Sequence, residues 1–509
     1  MPQSYIKRIL DARVYDVARE TPIDEAALLS SRFNNKIWLK REDLQPVFSF
    51  KLRGAYNKMV RLSDEQRALG VVTASAGNHA QGVAMAAKKL GVKAVIVMPR
   101  TTPVIKVDAV RNRGARVILH GDSFEEADAQ ARQLVEEKGL VYVHPFDDPD
   151  VIAGQGTIGM EIVRQHQTPL DALFVPVGGG GLIAGVAAYV KYVWPETRII
   201  GVEPEDAACL KLALERGRRA KLSEVGLFAE GVAVAQIGKE PFRIIRDTVD
   251  EVITATTDEM CAAIKDIFED TRSIAEPAGA LALAGMKKYI ERTGVTGQEL
   301  LAIVSGANTN FDRLRYISER TEIGEQREAL ISVTVPEQPG SFRAFCGALG
   351  RRSITEFNYR YADAGSAQVF VGLSVVPGGE DLRQLLRSLA QQGYQVEDMT
   401  DNEVAKLHIR YMVGGHAPIA AENERVYRFE FPERPGALLK FLTGLGKRWN
   451  ISMFHYRNHG AAYGRILVGL QLARGEQREL EKTLDQINYR YWDETDNRAY
   501  QLYLGKRLN

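Results

Sequence analysis

Four short stretches of this chain hold residues whose types and spacing could do chemistry together. In VFSFKLRGAYNKM, Lys51 sits among Phe48, Phe50 and Leu52 and opens a helical pattern. A lysine is ordinarily a solvated surface charge. An apolar setting lowers its pKa, because desolvation penalises the ammonium, and imine formation with a carbonyl needs the neutral amine. In VPVGGGGL, Gly178, Gly179, Gly180, Gly181 and Leu182 precede the helical run LIAGVAAYVKYV. Four glycines let bare backbone N–H groups wrap a phosphate, and the helix N-terminus adds a favourable dipole. TASAGNHAQGVA places Ser75, Ala76, Gly77, Asn78 and His79 at the turn into another helix. Free N–H groups there could hold a substrate carboxylate, Asn78 could donate to a ring hydroxyl, and His79 could be a base. IVSGANTN ends an apolar run on Ser305, directed at the same rim.

The glycine run taken alone also admits a dinucleotide. Gly179, Gly181 and Ala184 fit G-x-G-x-x-A, and Glu203 ends the next apolar run about 20 residues on, as that fingerprint requires. An NAD-dependent oxidoreductase is therefore the competing reading of this one motif, although it leaves Lys51, Asn78 and Ser305 without a task.

The elements that must position these stretches are apolar runs alternating with amphipathic segments. The runs are VVTAS (71–75), AVIVMP (94–99), ARVILH (115–120), ALFVPV (172–177), RIIGVE (198–203) and LLAIVS (300–305). Apolar strands joined by helices predict an α/β fold with parallel sheet covered on both faces, and a site at the carboxyl ends of the strands.

At 509 residues the chain needs about two to four hydrophobic cores. Hydrophobic residues make up 45% and charged residues 26%, an ordinary globular balance, and 66 basic residues stand against 65 acidic ones. That balance gives no long-range attraction to nucleic acid or to anionic membranes. Cys209, Cys261 and Cys346 form neither a C-x-x-C pair nor a disulfide framework, and MPQSYIKRIL has no apolar leader, so a cytoplasmic location is expected. The uncharged stretch 172–190 is nearly long enough to span a bilayer, but Pro176 and the four glycines argue for strand, loop and helix.

After about residue 328 the rhythm changes and a repeat begins. Pro336, Pro339, Gly340, Leu349 and Gly350 match Pro432, Pro435, Gly436, Leu445 and Gly446. Past a one-residue insertion, Ile354, Phe357, Tyr359, Arg360 and Gly372 match Ile451, Phe454, Tyr456, Arg457 and Gly469. Each copy reads as strand, Pro-Gly turn, helix, strand, strand. A Gly- and Pro-bearing linker around Gly414–Pro418 separates them.

SFKLRGA, SAGNHAQG, VPVGGGGL, AEGVAV, EPAGALALAG and VSGAN, in this order over about 300 residues, resemble the serine/threonine dehydratase branch of the fold-type II pyridoxal-phosphate enzymes. The doubled tail resembles the paired ACT-like regulatory domains of biosynthetic members. The resemblance implies a catalytic domain over 1–325, with a smaller subdomain over about 40–150, and α+β regulatory domains over 326–402 and 423–509. It implies pyridoxal 5'-phosphate held by Lys51, its ring hydroxyl met by Asn78, its phosphate by Gly178–Gly181 and Leu182, and its pyridine nitrogen faced by Ser305. The Ser75–His79 turn would take the carboxylate of L-threonine or serine, and Lys51 would move the Cα proton. Isoleucine would inhibit and valine oppose it, in a homo-oligomer, expected to be a tetramer. The effectors are expected near Gly340, Phe357 and Tyr359 in the first copy and Gly436, Phe454 and Tyr456 in the second.

Overall fold

A computed structural model describes the chain from residue 2 onward, except for residues 227, 312, 351, 361–364, 403–404, 407–408, 412–422, 433–436, 447, 458–462, 498–499, 501–503 and 505–509. The expected linker around Gly414–Pro418, and Gly436, lie outside the described residues. Two compact units emerge, Met1–Thr321 and Glu322–Asn509.

The first unit holds two sheets. The larger runs in the spatial order Ile23–Glu25, Lys36–Arg41, Glu299–Val304, Ala172–Pro176, Arg198–Pro204 and Glu251–Ala255. All its pairings are parallel except that of the first two strands. The smaller is wholly parallel, in the order Arg116–Leu119, Ala94–Met98, Val71–Ala74, Val141–Tyr142. The six apolar runs are all strands, three in each sheet. KIWLKR and EVITA are strands that alternation of charge and apolar residues had concealed.

Both faces of the larger sheet are buried. Leu300, Ala302 and Val304 face one cluster while Leu301 and Ile303 face another, the period-two alternation of a strand between two helical layers. Helix starts are set by local chemistry. Ser123 and Thr256 form capping boxes with Glu126 and Glu259, and Asp148 caps a helix that begins with Pro149.

The second unit is one antiparallel sheet of eight strands, ordered Gln395–Asp398, Glu328–Pro336, Ser366–Ser374, Ile354–Arg360, Asn450–Arg457, Tyr463–Gln471, Glu424–Pro432, Arg490–Asp493. Each repeat is longer than its sequence match indicates: a second helix, Glu380–Gln391 or Gln477–Ile487, and a fourth strand complete it. Those helices are strongly amphipathic but share little sequence, because only the spacing of buried leucines such as Leu385, Leu389, Leu480 and Leu484 is required. The repeats join through equivalent strands, with Phe357 opposite Tyr456, Asn358 opposite His455 and Tyr359 opposite Phe454.

Candidate active site

Lys51 begins the helix Lys51–Met59 after a sharp turn in which Phe48 takes a positive φ of 55°. The backbone ties this turn to the end of the strand Glu299–Val304. Ala307 N–H donates to Phe48 O at 2.8 Å, Phe50 N–H to Ser305 O at 3.2 Å, and Asn308 Nδ2 to Val47 O at 2.8 Å. Lys51 and Ser305, 254 residues apart in sequence, are thus neighbours through main-chain bonds. The helix itself lies backbone to backbone on the helix Pro149–Gln165. A Cβ on Gly154 would fall 2.7 Å from Gly54 Cα, so neither glycine of this contact can carry a side chain without moving a helix.

Between the two helices, Arg53 is fully buried and binds two carboxylates. Its guanidinium donates to Glu42 at 2.8 and 2.7 Å and to Glu161 at 2.6 and 3.0 Å, while Lys40 Nζ reaches Glu161 at 2.7 Å. This network fixes the first turn of the helix that Lys51 begins.

Lys51 Nζ donates to Pro145 O at 3.1 Å and lies 5.2 Å from the centre of the Phe50 ring. Burial pushes its pKa down from 10.5 to about 8, against the opposing pull of the Glu276 charge. Next to Pro145, Phe146 forms the floor of the glycine loop. A Cβ on Gly179 would come within 2.2 Å of the Phe146 ring, and one on Gly181 within 2.9 Å of Phe146 O. Gly180 adopts φ 87°, and the helix Gly181–Val193 follows with no side-chain cap, its first N–H groups free for an anion. Leu182 is buried in that first turn, and Gly178 O lies 3.6 Å from Cys209 Sγ.

Ser75, Ala76, Gly77 and Asn78 are all partly exposed at the end of the strand Val71–Ala74, and the helix Asn78–Leu90 starts without a side-chain cap. Ser75 Oγ accepts from Gly77 N–H at 3.2 Å. His79 stands apart from this turn chemistry. It is 2% exposed, its Nε2–H donates to Val143 O at 2.9 Å, and burial, helped by the Lys51 charge, lowers its pKa to about 3. It is a neutral, pinned imidazole rather than a proton acceptor at working pH. Ser305 is 3% exposed and its hydroxyl donates to Ala278 O at 3.2 Å.

Glu203, the acidic residue of the dinucleotide alternative, is fully buried. Its two oxygens accept from Leu210 N–H at 2.7 Å and Lys211 N–H at 2.9 Å, so it caps the start of the helix Cys209–Glu215. It is spent on structure.

Sequence reading missed Glu276, Asn308 and the Pro145–Phe146 wall. Glu276 was visible as the acid before the helix-starting Pro277 in EPAGALALAG, but nothing in the spacing shows that its carboxylate meets Asn78, 198 residues away.

A model of pyridoxal-phosphate-dependent enzymes matches residues 14–306, and a model of the C-terminal regulatory domain of threonine dehydratase matches residues 319–409 and 415–504. The chain belongs to the threonine dehydratase family. The biosynthetic L-threonine dehydratase of Burkholderia multivorans is 56% identical over 98% of this chain and 99% of its own. That of Escherichia coli is 55% identical over 98% of this chain and 97% of its own. A threonine deaminase structure from Solanum lycopersicum has 51% identity and a TM-score of 0.62, covering 63% of this chain and 93% of its own. A maize serine racemase structure has 33% identity and a TM-score of 0.58, covering 61% and 95%. Like the family, this dehydratase is a lyase that uses pyridoxal phosphate. The dinucleotide reading of the glycine loop is thereby overturned. Among the described residues, no helix is long and apolar enough to cross a membrane.

The residues present fit that cofactor. The loop has the flexible backbone and bare N–H groups a phosphate needs, the lysine is poised toward its neutral form, and Ser49 Oγ, two residues before it, and Thr309 Oγ1, next to Asn308, are buried with no partner among the described residues.

Proposed function

We propose that this chain converts L-threonine to 2-oxobutanoate and ammonia, the committed step toward isoleucine, with Lys51 as both the cofactor's anchor and the base that takes the Cα proton. The observation that carries this is the Lys51 amine, brought to about pKa 8 and set against the wall that also floors the glycine loop. When bound, the cofactor supplies a carbonyl for exchange with the substrate amine and a conjugated ring that takes up the electrons of the broken Cα–H bond.

The chain's own residues do the rest. The N–H groups of Gly178–Gly181, with Leu182, hold the phosphate. Within the Ser75–His79 turn the Ser75 N–H is already given to Val97 O at 3.1 Å and the Gly77 N–H to Ser75 Oγ, so the N–H groups of Ala76, Asn78 and His79 receive the substrate carboxylate, which places the Cα–H bond within reach of the Lys51 amine. Asn78 meets the ring hydroxyl. Ser305 would stand at the ring nitrogen as a neutral hydroxyl, a partner that does not require that nitrogen to stay protonated. Serine would give pyruvate through the same groups. Lys51→Ala is the test: mass spectrometry after borohydride reduction should find the cofactor fixed on Lys51 in the parent, and the variant should form no 2-oxobutanoate. Fixation on another lysine with activity intact would refute the assignment.

The same reading assigns residues 1–325 to catalysis, the smaller subdomain lying over about 40–150, and residues 326–402 and 423–509 to control, in a cytoplasmic homotetramer. Isoleucine binding in the second unit lowers activity and valine opposes it, which requires each to prefer one of two states of the assembly. Two features support a ligand site there. Gly340, at φ 93°, opens the helix Ser341–Ala348, beside a cleft lined by Phe342, Leu442, Leu445 and Trp449. Phe357, Tyr359, Phe454 and Tyr456 form one buried block across the repeat junction, with the Phe357 and Phe454 rings 5.3 Å apart. Gly436 is the counterpart of Gly340. Deleting the residues after 325 should leave a folded, active enzyme that isoleucine no longer inhibits. Light scattering of the full chain with either amino acid reports its subunit number.

A further inference from the structure

Glu276, which the mechanism above does not use, lies across Gly306 from the turn that carries Lys51: a Cβ on Gly306 would meet both Glu276 Oε1 and, at 3.1 Å, Phe48 O. It is the last residue before the helix Pro277–Thr293 and is 8% exposed. Its Oε1 accepts from Asn78 Nδ2 at 2.6 Å, and Asn78 Oδ1 in turn accepts from Asn308 Nδ2, also at 2.6 Å. The space around the carboxylate is closed by missing side chains: a Cβ on Gly306 would lie 2.7 Å from Oε1, and one on Gly231 3.4 Å. Glu276 N–H donates to Gly306 O at 3.1 Å, so backbone and side chain both hold the group in place.

An amide has one acceptor and two donor hydrogens. In Asn78 the acceptor is committed to Asn308 and one hydrogen to Glu276, which leaves one N–H. A flipped amide would bring its oxygen against the Glu276 carboxylate and its nitrogen against the Asn308 donor, two repulsive contacts at a buried carboxylate. We propose that Glu276 is a positioning residue of the active site, which locks the Asn78 amide with its nitrogen toward the Lys51 cleft and sets a carboxylate across Gly306 from the turn that carries Lys51. This rests on the assignment of Lys51 as the cofactor lysine. Asn78 is then a directed donor to an oxygen of the bound group, and the anchor and the donor are set by one carboxylate.

The charged groups facing Glu276 among the described residues are Lys51 at the start of its helix, Lys106 in the helix Val104–Arg111, and Glu230 in the turn Glu230–Val232; Lys106 and Glu230 pair with each other. Burial raises the Glu276 carboxyl to about 7, so its charge is present above that pH and fades below it.

Glu276→Gln keeps an acceptor for Asn78 and removes the charge; Glu276→Ala removes both. In the apoenzyme, the pH midpoint for modification of Lys51 by an amine-reactive reagent, followed by peptide mass spectrometry, should fall in both variants, because a cation loses its nearby anion. Cofactor affinity from equilibrium dialysis should stay within about threefold of the parent in the Gln variant and weaken about tenfold in the Ala variant, the size of one lost hydrogen bond. An unchanged Lys51 midpoint in the Gln variant overturns the proposal, whether or not the Ala variant folds. So does equal cofactor affinity in parent and Ala variant. Lys51→Ala, run alongside, separates the two claims: if the cofactor is fixed elsewhere by borohydride, the Lys51 assignment fails, independently of the Glu276 midpoint.

Discussion

Arg53→Met would remove one charge from a network that is neutral as it stands. Arg53 and Lys40 contribute two positive charges, Glu42 and Glu161 two negative, and all four side chains are fully buried. Methionine roughly fills the volume but leaves a net negative charge with no water to solvate it. Removing one partner of a buried pair costs about 3–5 kcal/mol, a large part of the roughly 5–15 kcal/mol that holds a domain folded. The pH dependence gives the sharper test. Burial alone would push the Glu42 carboxyl up, but the Arg53 charge and hydrogen bonds outweigh it and hold the carboxyl below its usual 4.5. That is stability present above the unfolded pKa and lost as pH falls. Without Arg53 the burial effect wins and a carboxyl of the network titrates above its unfolded value. The penalty is then fully present at high pH and relieved as pH drops through the raised pKa. The deficit of Arg53→Met relative to the parent, from urea unfolding followed by tryptophan fluorescence, should be several kcal/mol at pH 7.5 and visibly smaller at pH 5.5. Adding Glu42→Gln should recover part of it. A deficit below about 1 kcal/mol, or one that grows on acidification, would refute the charge accounting.

Three other outcomes follow from the geometry. The rate at which apoenzyme recaptures pyridoxal phosphate should climb between pH 7 and 9 and level off above about 9, since a lysine at about 8 rather than 10.5 is neutral in about 9% instead of about 0.03% of molecules at pH 7; a rate still climbing at pH 10 would contradict it. Gly179→Ala forces the Phe146 ring aside, so it should cost about 1–3 kcal/mol in thermal unfolding and weaken cofactor binding in dialysis by about tenfold or more. Cys209, Cys261 and Cys346 are all buried, and burial raises each thiol's pKa, so a thiol reagent should label none of the three in the native protein within minutes and all three in urea.

The sequence made the α/β class and the duplicated tail legible because both are periodic. Apolar β-branched runs such as ALFVPV reveal buried strands, and matched Pro-Gly turns reveal the copies. It could not show that the runs fall into two sheets, since crossovers within one sheet and between two have the same local pattern. KIWLKR escaped notice because Lys40 and Arg41 are charged, and only the tertiary partners Glu161 and Asp24, with the nearby Asp43, explain why charges can be buried in a strand. The clustering around Lys51 was legible as motifs at strand ends. The roles of Glu276 and Asn308 were not, because a carboxylate that orients an amide from nearly 200 residues away leaves no local signal. His79 misled for the opposite reason: its position in the motif suggests chemistry, and only the Val143 carbonyl reveals an occupied ring.

The strand pairing at the repeat junction has a historical implication. Phe357 opposite Tyr456 and Tyr359 opposite Phe454 are related by a local two-fold axis through the Asn358–His455 pair. That is the isologous contact two separate copies of one repeat would make as a homodimer. Joining them in a single chain replaces dependence on protein concentration with a tether that keeps the halves at roughly millimolar effective concentration. It also frees the halves from having to change together. Glu356 is buried with Arg410 and Asn358, while its counterpart is the uncharged and equally buried Met453, a divergence that no true homodimer could store.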